Sequence, residues 1–465
     1  MLTSLDFIRD GAEWPPADAD ESARLAEHAL MRAIYNGLHD KIFPRYIAYL
    51  ADSPKDTKKP VIILDWPELA TTSYLNLLIG EEPEVKAPIE NMPERPDEEV
   101  FIDASRYGHG LYEVSDDGIT AINPENVYLV VQPGNIRRIT AYVIFSAFKL
   151  LDIGNKELLY IKFTIHTKSQ IQHLVFELKN AKLAGPIALK NFPAFAGLKV
   201  DPEGIQKPDV DDFLIVHVQN RLTSERYYGR SDYKPSVISL TESLELSFAQ
   251  RDEVLAKFVN PTPVIPESAT TFDFGKDEWV YKPGAPIITA PGDASPALMV
   301  WQAELRSVEM AIEQKMDQIL QMMQLSRVLL AGKDAGTAES GTALRIRLIP
   351  TVAKVNRYAR AAEKAIPKVL NLWSQLKLPV VEEKDIQVIL QDGIPEDKLE
   401  TARTAQIWDS MRAISLERKL ELQGLKEGSD AFNRELERIR GAQQLAAPAA
   451  PVIRLPSLET KLRRE

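Results

Sequence analysis

The sequence predicts an α+β chain in which an antiparallel β unit is framed by long helices. Two observations carry this. From Val100 to about Leu222 apolar residues alternate with a period of two, and between residues 236 and 378 they recur at steps of three and four. A third observation sets the organisation: six prolines interrupt the helical stretch, and a Gly-rich loop interrupts it again further on. With 465 residues the chain is long enough for two or three domains with real cores.

Taken in order, residues 1–20 are expected to be loose, because Trp14-Pro15-Pro16 forbids helix. Glu21 to Phe43 is predicted as one helix closed by Pro44. Val61 to Leu64 is a short apolar run, and Ser73 to Gly80 reads as the end of a helix stopped by Gly80 and Pro83. Glu81 to Asp97, acidic and Pro-rich, is expected to be an exposed link. Strands are predicted at Leu111 to Val114 and Ile119 to Ile122, joined by the hairpin signal Asp116-Asp117-Gly118. Others are predicted at Val127 to Gln132, Ile139 to Phe148, Leu158 to Thr167, Gln170 to Leu178 and Phe213 to Asn220.

The stretch 236–378 is predicted as helix, Pro-rich interlude, helix, loop and kinked helix. Ser239 and Glu242 have capping-box spacing, and Val237, Leu240, Leu244, Phe248, Leu255, Phe258 and Val259 share one face. Pro261, Pro263, Pro266, Pro283, Pro286 and Pro291 exclude helix over 260–294 and leave short β candidates at Thr270 to Phe274, Trp279 to Lys282 and Ile287 to Thr289. A second helix is predicted from Ser295, as N-cap, and Pro296 through to Arg327. Its residues Leu298, Trp301, Leu305, Val308, Ile312, Met316, Ile319 and Met323 form a stripe roughly 80° wide, the width of a helix-to-helix seam. The loop from Ala331 to Gly341 is followed by a third helix over Thr342 to Leu378, expected to bend at Pro350 and Pro367. Arg347, Lys354, Arg357, Lys364 and Lys368 fall within roughly 100° of one another on it, opposite Leu344, Leu348, Val352, Val355, Ala359, Ala362, Ile366, Val369 and Trp373. This basic face suits phosphates, an acidic neighbouring subunit or plain solvent. Beyond it, Ile386 to Leu390 is predicted as a lone strand, with helices over Glu396 to Ala413, from Ser415 to Gly424 and over Ser429 to Arg440. Gly441 onward is expected to be disordered or ordered only on binding.

Composition narrows the function classes. The absence of cysteine rules out disulfides, Cys-ligated zinc, iron–sulfur centres and thiol catalysis, and suits a cytosolic assembly pathway. A net charge of −11 argues against tight non-specific nucleic-acid binding. No run of 18 apolar residues exists, and Met1 to Asp10 lacks the apolar core of a signal peptide. Gly332-Lys333 is followed by Asp334 where a P-loop needs Ser or Thr. The histidines His28, His39, His109, His166, His173 and His217 show no metal-ligand spacing, and Asp209, Asp211 and Asp212 read as a solvated turn. No Gly-x-Ser-x-Gly elbow is present. No catalytic, metal or cofactor site is expected. An assembly protein and a hydrolase with a scattered site are the two classes these residues leave.

Three stretches resemble the portal proteins of tailed bacteriophages, especially the siphophage type: Leu75-Asn76-Leu77-Leu78-Ile79-Gly80-Glu81-Glu82-Pro83, Tyr228-Gly229-Arg230-Ser231-Asp232-Tyr233 with the helix that follows, and Glu339-Ser340-Gly341-Thr342-Ala343-Leu344-Arg345. Ile122-Asn123-Pro124-Glu125-Asn126-Val127 and Gly393-Ile394-Pro395 are weaker matches, and together these span roughly residues 60 to 440. The resemblance implies a homo-oligomeric ring, usually a dodecamer, at one capsid vertex. Double-stranded DNA would pass through it without sequence readout. Major capsid and scaffolding proteins, the terminase large subunit and a head–tail adaptor would be its partners, with no membrane. By position it assigns 1–235 to the N-terminal region and β wing, 236–259 and 295–327 to stem helices, and 260–294 to a clip. It assigns 328–341 to a tunnel loop, 342–391 to a kinked wing helix and return strand, 392–440 to a helical crown and 441–465 to a disordered tail. Lys333, Asp334, Thr337, Glu339 and Ser340 would line the channel. Leu298, Trp301, Leu305, Val308 and Ile312 would form the subunit seam, and Phe272, Phe274, Trp279 and Tyr281 the clip's docking surface. The runner-up is a different phage structural protein, an adaptor or baseplate component, using the same helices in a bundle.

Overall fold

In the computed structural model, residues 1–52, 59–80, 83–89, 91–151, 157–259, 262–264, 271–273, 278–280, 297–299, 305–331, 341–377, 379–390, 406–407, 415 and 430–446 are described, and they form an α+β chain. It divides into two units, Met1–Thr337 with Arg347–Gly393, and Ala338–Ile346 with Ile394–Glu465.

The helical N-terminal part comprises α1 (Ala19–Tyr35), α2 (His39–Ile42), α3 (Pro44–Ala51) and α4 (Trp66–Ile79). Asp18 caps α1 by accepting the Glu21 N–H at 2.9 Å. The single helix expected over Glu21 to Phe43 is broken by Gly37, at φ +68°, and Pro44 opens a new helix instead of closing the old one. Proline suits that first position, where its missing N–H costs nothing. After β1 (Glu84–Lys86) comes α5 (Asp97–Tyr107), a helix at the start of the stretch expected to have period two. Val100, Phe101, Ala104 and Tyr107 are buried at helical spacing, and Asp97, Glu98 and Glu99 sit favourably in the first turn.

Strands follow: β2 (His109–Ser115), β3 (Gly118–Ile122), β4 (Val127–Gln132), β5 (Asn135–Leu151), β6 (Glu157–His166), β7 (Ile171–Lys179), β8 (Lys182–Ile187), β9 (Ile205–Gln206) and β10 (Ile215–Gln219). One antiparallel sheet runs β10-β2-β3 and another β4-β5-β6-β7-β8, with β9 on β7. The predicted hairpin is present, Gly118 taking φ +145° at its turn. Strands β8 and β9 had no expectation.

Residues 1–20 are not loose. Gly11 N–H donates to Leu183 O at 2.8 Å and Leu183 N–H to Ala12 O at 2.9 Å, so this segment follows the β8 edge. Trp14 is buried edge-on against Tyr128, Phe145 and Phe163, with ring centres 5.6, 5.0 and 4.8 Å away. An aromatic of that size recovers enough apolar burial to order a Pro-rich segment.

The chain continues with α6 (Pro235–Val259), short strands β11 (Thr262–Val264), β12 (Thr271–Asp273), β13 (Glu278–Val280) and β14 (Ala297–Met299), then α7 (Leu305–Met322), α8 (Arg327–Ala331), α9 (Gly341–Lys377), β15 (Gln387–Ile389) and α10 (Asp430–Ala446). The lone strand finds a partner in the supposed exposed link, because β15 pairs with β1. Helix α10 extends past Gly441, where disorder was expected. The strand expected at 287–289, most of the helices expected over 396–424, and the chain beyond 446 lie outside the described residues.

Two buried histidine arrangements tie these elements together. His39 donates through Nε2 to Ile34 O at 2.8 Å and through Nδ1 to Glu245 on α6, which also accepts the Leu64 N–H at 2.9 Å. A carbonyl and a carboxylate facing its two ring nitrogens favour the protonated form of His39. Burial opposes that charge, but the Glu245 contact outweighs it and raises the pKa above its ordinary 6.5. His28, His109 and His217 form the second arrangement, with His217 Nε2 3.1 Å from His109 Nδ1 and the His28 and His109 rings 5.3 Å apart. Burial holds all three far below the ordinary value, His217 at about 3, and Arg24 adds to the effect on His28 and His109.

The two arrangements respond to pH with opposite signs. The neutral cluster contributes fully above 6.5 and loses stability as pH falls, since the unfolded chain then binds protons that the folded one refuses. The His39 contribution is full below 6.5 and is lost as pH rises through its elevated folded value. Urea midpoints are therefore expected to fall between pH 7 and pH 5, and His39→Gln to flatten the decline on the alkaline side. A midpoint constant between pH 7 and pH 5 would contradict the neutral cluster.

Candidate functional site

Helices α6 and α7 pack on each other through the predicted apolar faces. Val237, Leu244 and Ala249 of α6 are buried in one core with Ile312, Ile319 and Leu320 of α7, with Val308 and Met316 packed against it. Lys315 Nζ crosses from α7 to the Ser243 carbonyl at 3.2 Å and to the Ser247 hydroxyl. The stripe assigned to a subunit seam is thus spent within the chain at Val308 and Ile312. Leu298 leaves it altogether: it lies in β14, paired with Pro263 of β11, and the described helix α7 runs from Leu305. The antiparallel pairing of 262–264 with 297–299 takes up residues whose apolar spacing is equally compatible with helix. Trp301 lies outside the described residues.

The capping box on α6 is likewise absent. Pro235 opens the helix, and Glu242 instead accepts the Arg45 backbone N–H at 2.7 Å and its Nε at 2.8 Å, capping α3. Beyond α6, Phe272 and Trp279 are directly opposite each other across the β12–β13 pair. Phe274 and Tyr281 lie outside the described residues.

The resembling segment Tyr228 to Tyr233 forms the anchor of the molecule. Gly229 has φ +79°, and a Cβ there would sit 2.3 Å from the carbonyl oxygens of Asn220 and Gly108, so only glycine fits. This close approach lets Arg230 N–H reach Asn220 O at 2.8 Å and Asp232 N–H reach Ser105 O at 2.9 Å. Asp232 is thereby carried into the interior. Its carboxylate is 2.9 Å from Lys354 Nζ, 3.5 Å from Arg221 and 4.0 Å from Arg357. It also accepts hydrogen bonds from Tyr358 at 3.1 Å and from Tyr74, Ser105 and Asn220 at 3.2 Å. Burial would raise its pKa, but Lys354, Arg221 and Arg357 outweigh that and hold it well below the carboxylate range. Burial pushes the Lys354 ammonium down to about 8, with Asp232 opposing the fall.

Lys354 also fixes the end of α7. Its Nζ donates to Met323 O at 3.1 Å and sits 3.9 Å from the centre of the Tyr74 ring. An ammonium is well placed among the unpaired carbonyls of a helix C-terminus. Ser326 N–H donates to Thr351 Oγ1 at 2.8 Å, and Gln324 Oε1 accepts from Arg221 at 3.0 Å and Arg357 at 3.2 Å. The passage from α7 into α8 is therefore held by side chains of α9.

The basic face of α9 does not survive as a unit. Lys354 is fully buried, Arg357 turns to Gln324 and Asp232, and Lys368 pairs with Asp212 at 3.0 Å. That last contact also takes Asp212 out of a purely solvated turn. Arg347 and Lys364 are exposed. The opposite face is buried as the spacing predicts, from Leu348 and Val355 to Ile366 and Val369. Lys333, Asp334, Thr337, Glu339 and Ser340 lie outside the described residues. Sequence reasoning had quoted the Tyr228 to Tyr233 motif without giving Asp232 a role. A carboxylate flanked by Ser231 and Tyr233, three residues after Gly229, is the signal the sequence offers.

These groups have little chemistry to offer. Asp232 has no proton to give, and Arg24, at the edge of a cleft of about 450 Å³, is committed to Glu21 at 2.8 Å and to two backbone carbonyls. Among the described residues no three His, Asp or Glu side chains are grouped to hold a metal ion.

Removing one partner of a buried ion pair costs about 3–5 kcal/mol. Asp232→Asn is expected to cost that much in urea denaturation, because it leaves three cations without their counter-charge. Lys354→Met is expected to cost less, since Arg221 and Arg357 still face the carboxylate. The reverse order would show that the lysine, not the carboxylate, is the centre of the cluster.

Residues 302–448, which take in α7, α8, α9, β15 and α10, match the family model described as Phage portal protein, SPP1 Gp6-like. No curated protein matches the chain. Over this stretch the chain is similar to the phage portal proteins, a structural family, and the match supports a portal protein of a tailed phage.

Proposed function

We propose that the chain is one subunit of a closed ring at the capsid's portal vertex, the channel through which DNA is packaged and later exits. The observation that carries this is the arrangement within and beside the matched stretch. A helix pair bridged by short paired strands leads through an anchored joint into one long helix that runs through two prolines. In this reading α6 and α7 are stem helices, residues 260–294 are the clip and 328–341 the tunnel loop, while α9 belongs to the wing and residues 392–440 to the crown. Lys333, Asp334, Thr337, Glu339 and Ser340 line the channel, and Phe272, Phe274, Trp279 and Tyr281 serve the clip's docking to terminase and then to a head–tail adaptor. Twelve copies would close the ring by heterologous contacts, in which each copy offers two different faces. Those contacts fall on faces of the stem that the chain's own core leaves open, where Met310 is 54% exposed and Leu255 38%.

Negative-stain imaging of the purified protein is expected to show rings with a central hole wide enough for duplex DNA. Compact monomers alone, at any concentration reached, would refute the ring. A pair of substitutions separates folding from assembly. Ile312→Ala should cost about 2–5 kcal/mol of monomer stability. Met310→Asp should change that stability by no more than about 0.5 kcal/mol while lowering the ring fraction in native mass spectrometry. Intact rings of Met310→Asp would move the subunit contact elsewhere on the stem.

A further inference from the structure

We propose that the joint between α7 and α8 is a two-state element: broken as described here, and continuous helix from Leu305 to Ala331 when its lock is released. The inference concerns the chain's own backbone and does not rest on the channel reading.

Residues 305–331 contain neither proline nor glycine, and their apolar spacing runs on without a stop signal. Yet α7 ends at Met322, and the chain turns at Gln324 with φ +59°. Leu325 N–H reaches back to Leu320 O at 2.8 Å and Gln324 N–H to Gln321 O at 3.0 Å, the bonding pattern of a Schellman end. That motif ordinarily places glycine at the left-handed position, because a side chain there is strained. Here the strained residue is glutamine, so something else must hold it.

Arg327 of α8 reaches back to Asp317 of α7 at 3.2 Å, but the groups that fix the turn itself come from outside the joint. Arg221 and Arg357 fix the Gln324 side chain, Lys354 fixes Met323 O, and Thr351 takes the Ser326 N–H that an unbroken helix would use internally. Arg221, Lys354 and Arg357 are the same three cations that gather around Asp232. Burial of Met323 and Leu325 adds to the broken state. Against this stands the helix itself, which regains regular backbone bonds and relieves Gln324 at no cost in sequence. One carboxylate therefore arranges the cations that keep the turn, and loosening any of them moves the balance towards the continuous form. The conversion would change the direction in which the chain leaves α7.

The chain has no cysteine, so Met310→Cys with Val328→Cys supplies two unique sites for spin labels. Eighteen residues of unbroken helix separate the two α-carbons by about 27 Å. Pulsed electron–electron resonance on the otherwise unchanged chain is expected to give a distance set by the turn and distinct from that value. Gln324→Ala, which removes the held side chain and leaves the Asp232 cluster intact, should populate the helical distance, and Lys354→Met should do the same. Gln324→Gly, which accepts the left-handed conformation without strain, should return the Lys354→Met protein to the original distance. A distribution for Gln324→Ala identical to that of the unchanged joint would overturn the proposal, whether or not Lys354→Met folds.

Discussion

A carboxylate taken fully out of water must be surrounded by compensating groups, and Asp232 collects them from most of the larger unit. Lys354, Arg357 and Tyr358 come from α9, Tyr74 from α4, Ser105 from α5, and Arg221 and Asn220 from the segment after β10. The desolvation cost of one charge thereby fixes the mutual placement of three helices and a sheet edge. Gly229 is what makes the arrangement possible, since no other residue lets the chain pass so close to two carbonyls.

The same constraint explains why α9 looks basic in sequence without presenting a basic surface. Two of the five cations on its predicted basic face are drawn to one buried anion, and a third pairs with Asp212. What remains is an acidic chain with scattered exposed cations, a surface that resists tight adhesion to a polyanion. Under the proposed channel role that is physically sensible, because each fixed phosphate contact would slow a moving duplex.

Helix packing follows a parallel logic. The narrow stripe on α7 reads equally well as a contact between subunits or within one, since both bury the same apolar residues by the same effect. Its partner is α6 of the same chain, brought back by the strands that bridge the two helices. Apolar spacing states that a face will be covered and is silent on what covers it.

Much of the architecture was legible from local rules. Strands β4 to β7 emerged from their period of two, α9 from its long apolar face, and the β2–β3 hairpin from its turn residues. The errors fall where distant groups decide. Trp14 orders a Pro-rich segment by finding three aromatic rings on the sheet, Glu242 caps α3 instead of its own helix, and β15 finds β1 some 300 residues away by number. At Gln324 the contrast is sharpest: nothing within 305–331 forbids helix, and side chains from Arg221 and α9 impose a turn. By itself the sequence determined which residues alternate, which must be buried and where helices can start, because those depend on neighbours a few residues apart. Tertiary structure alone decided which charges are neutralised and which helices are cut, because burial prices a charge by everything that surrounds it.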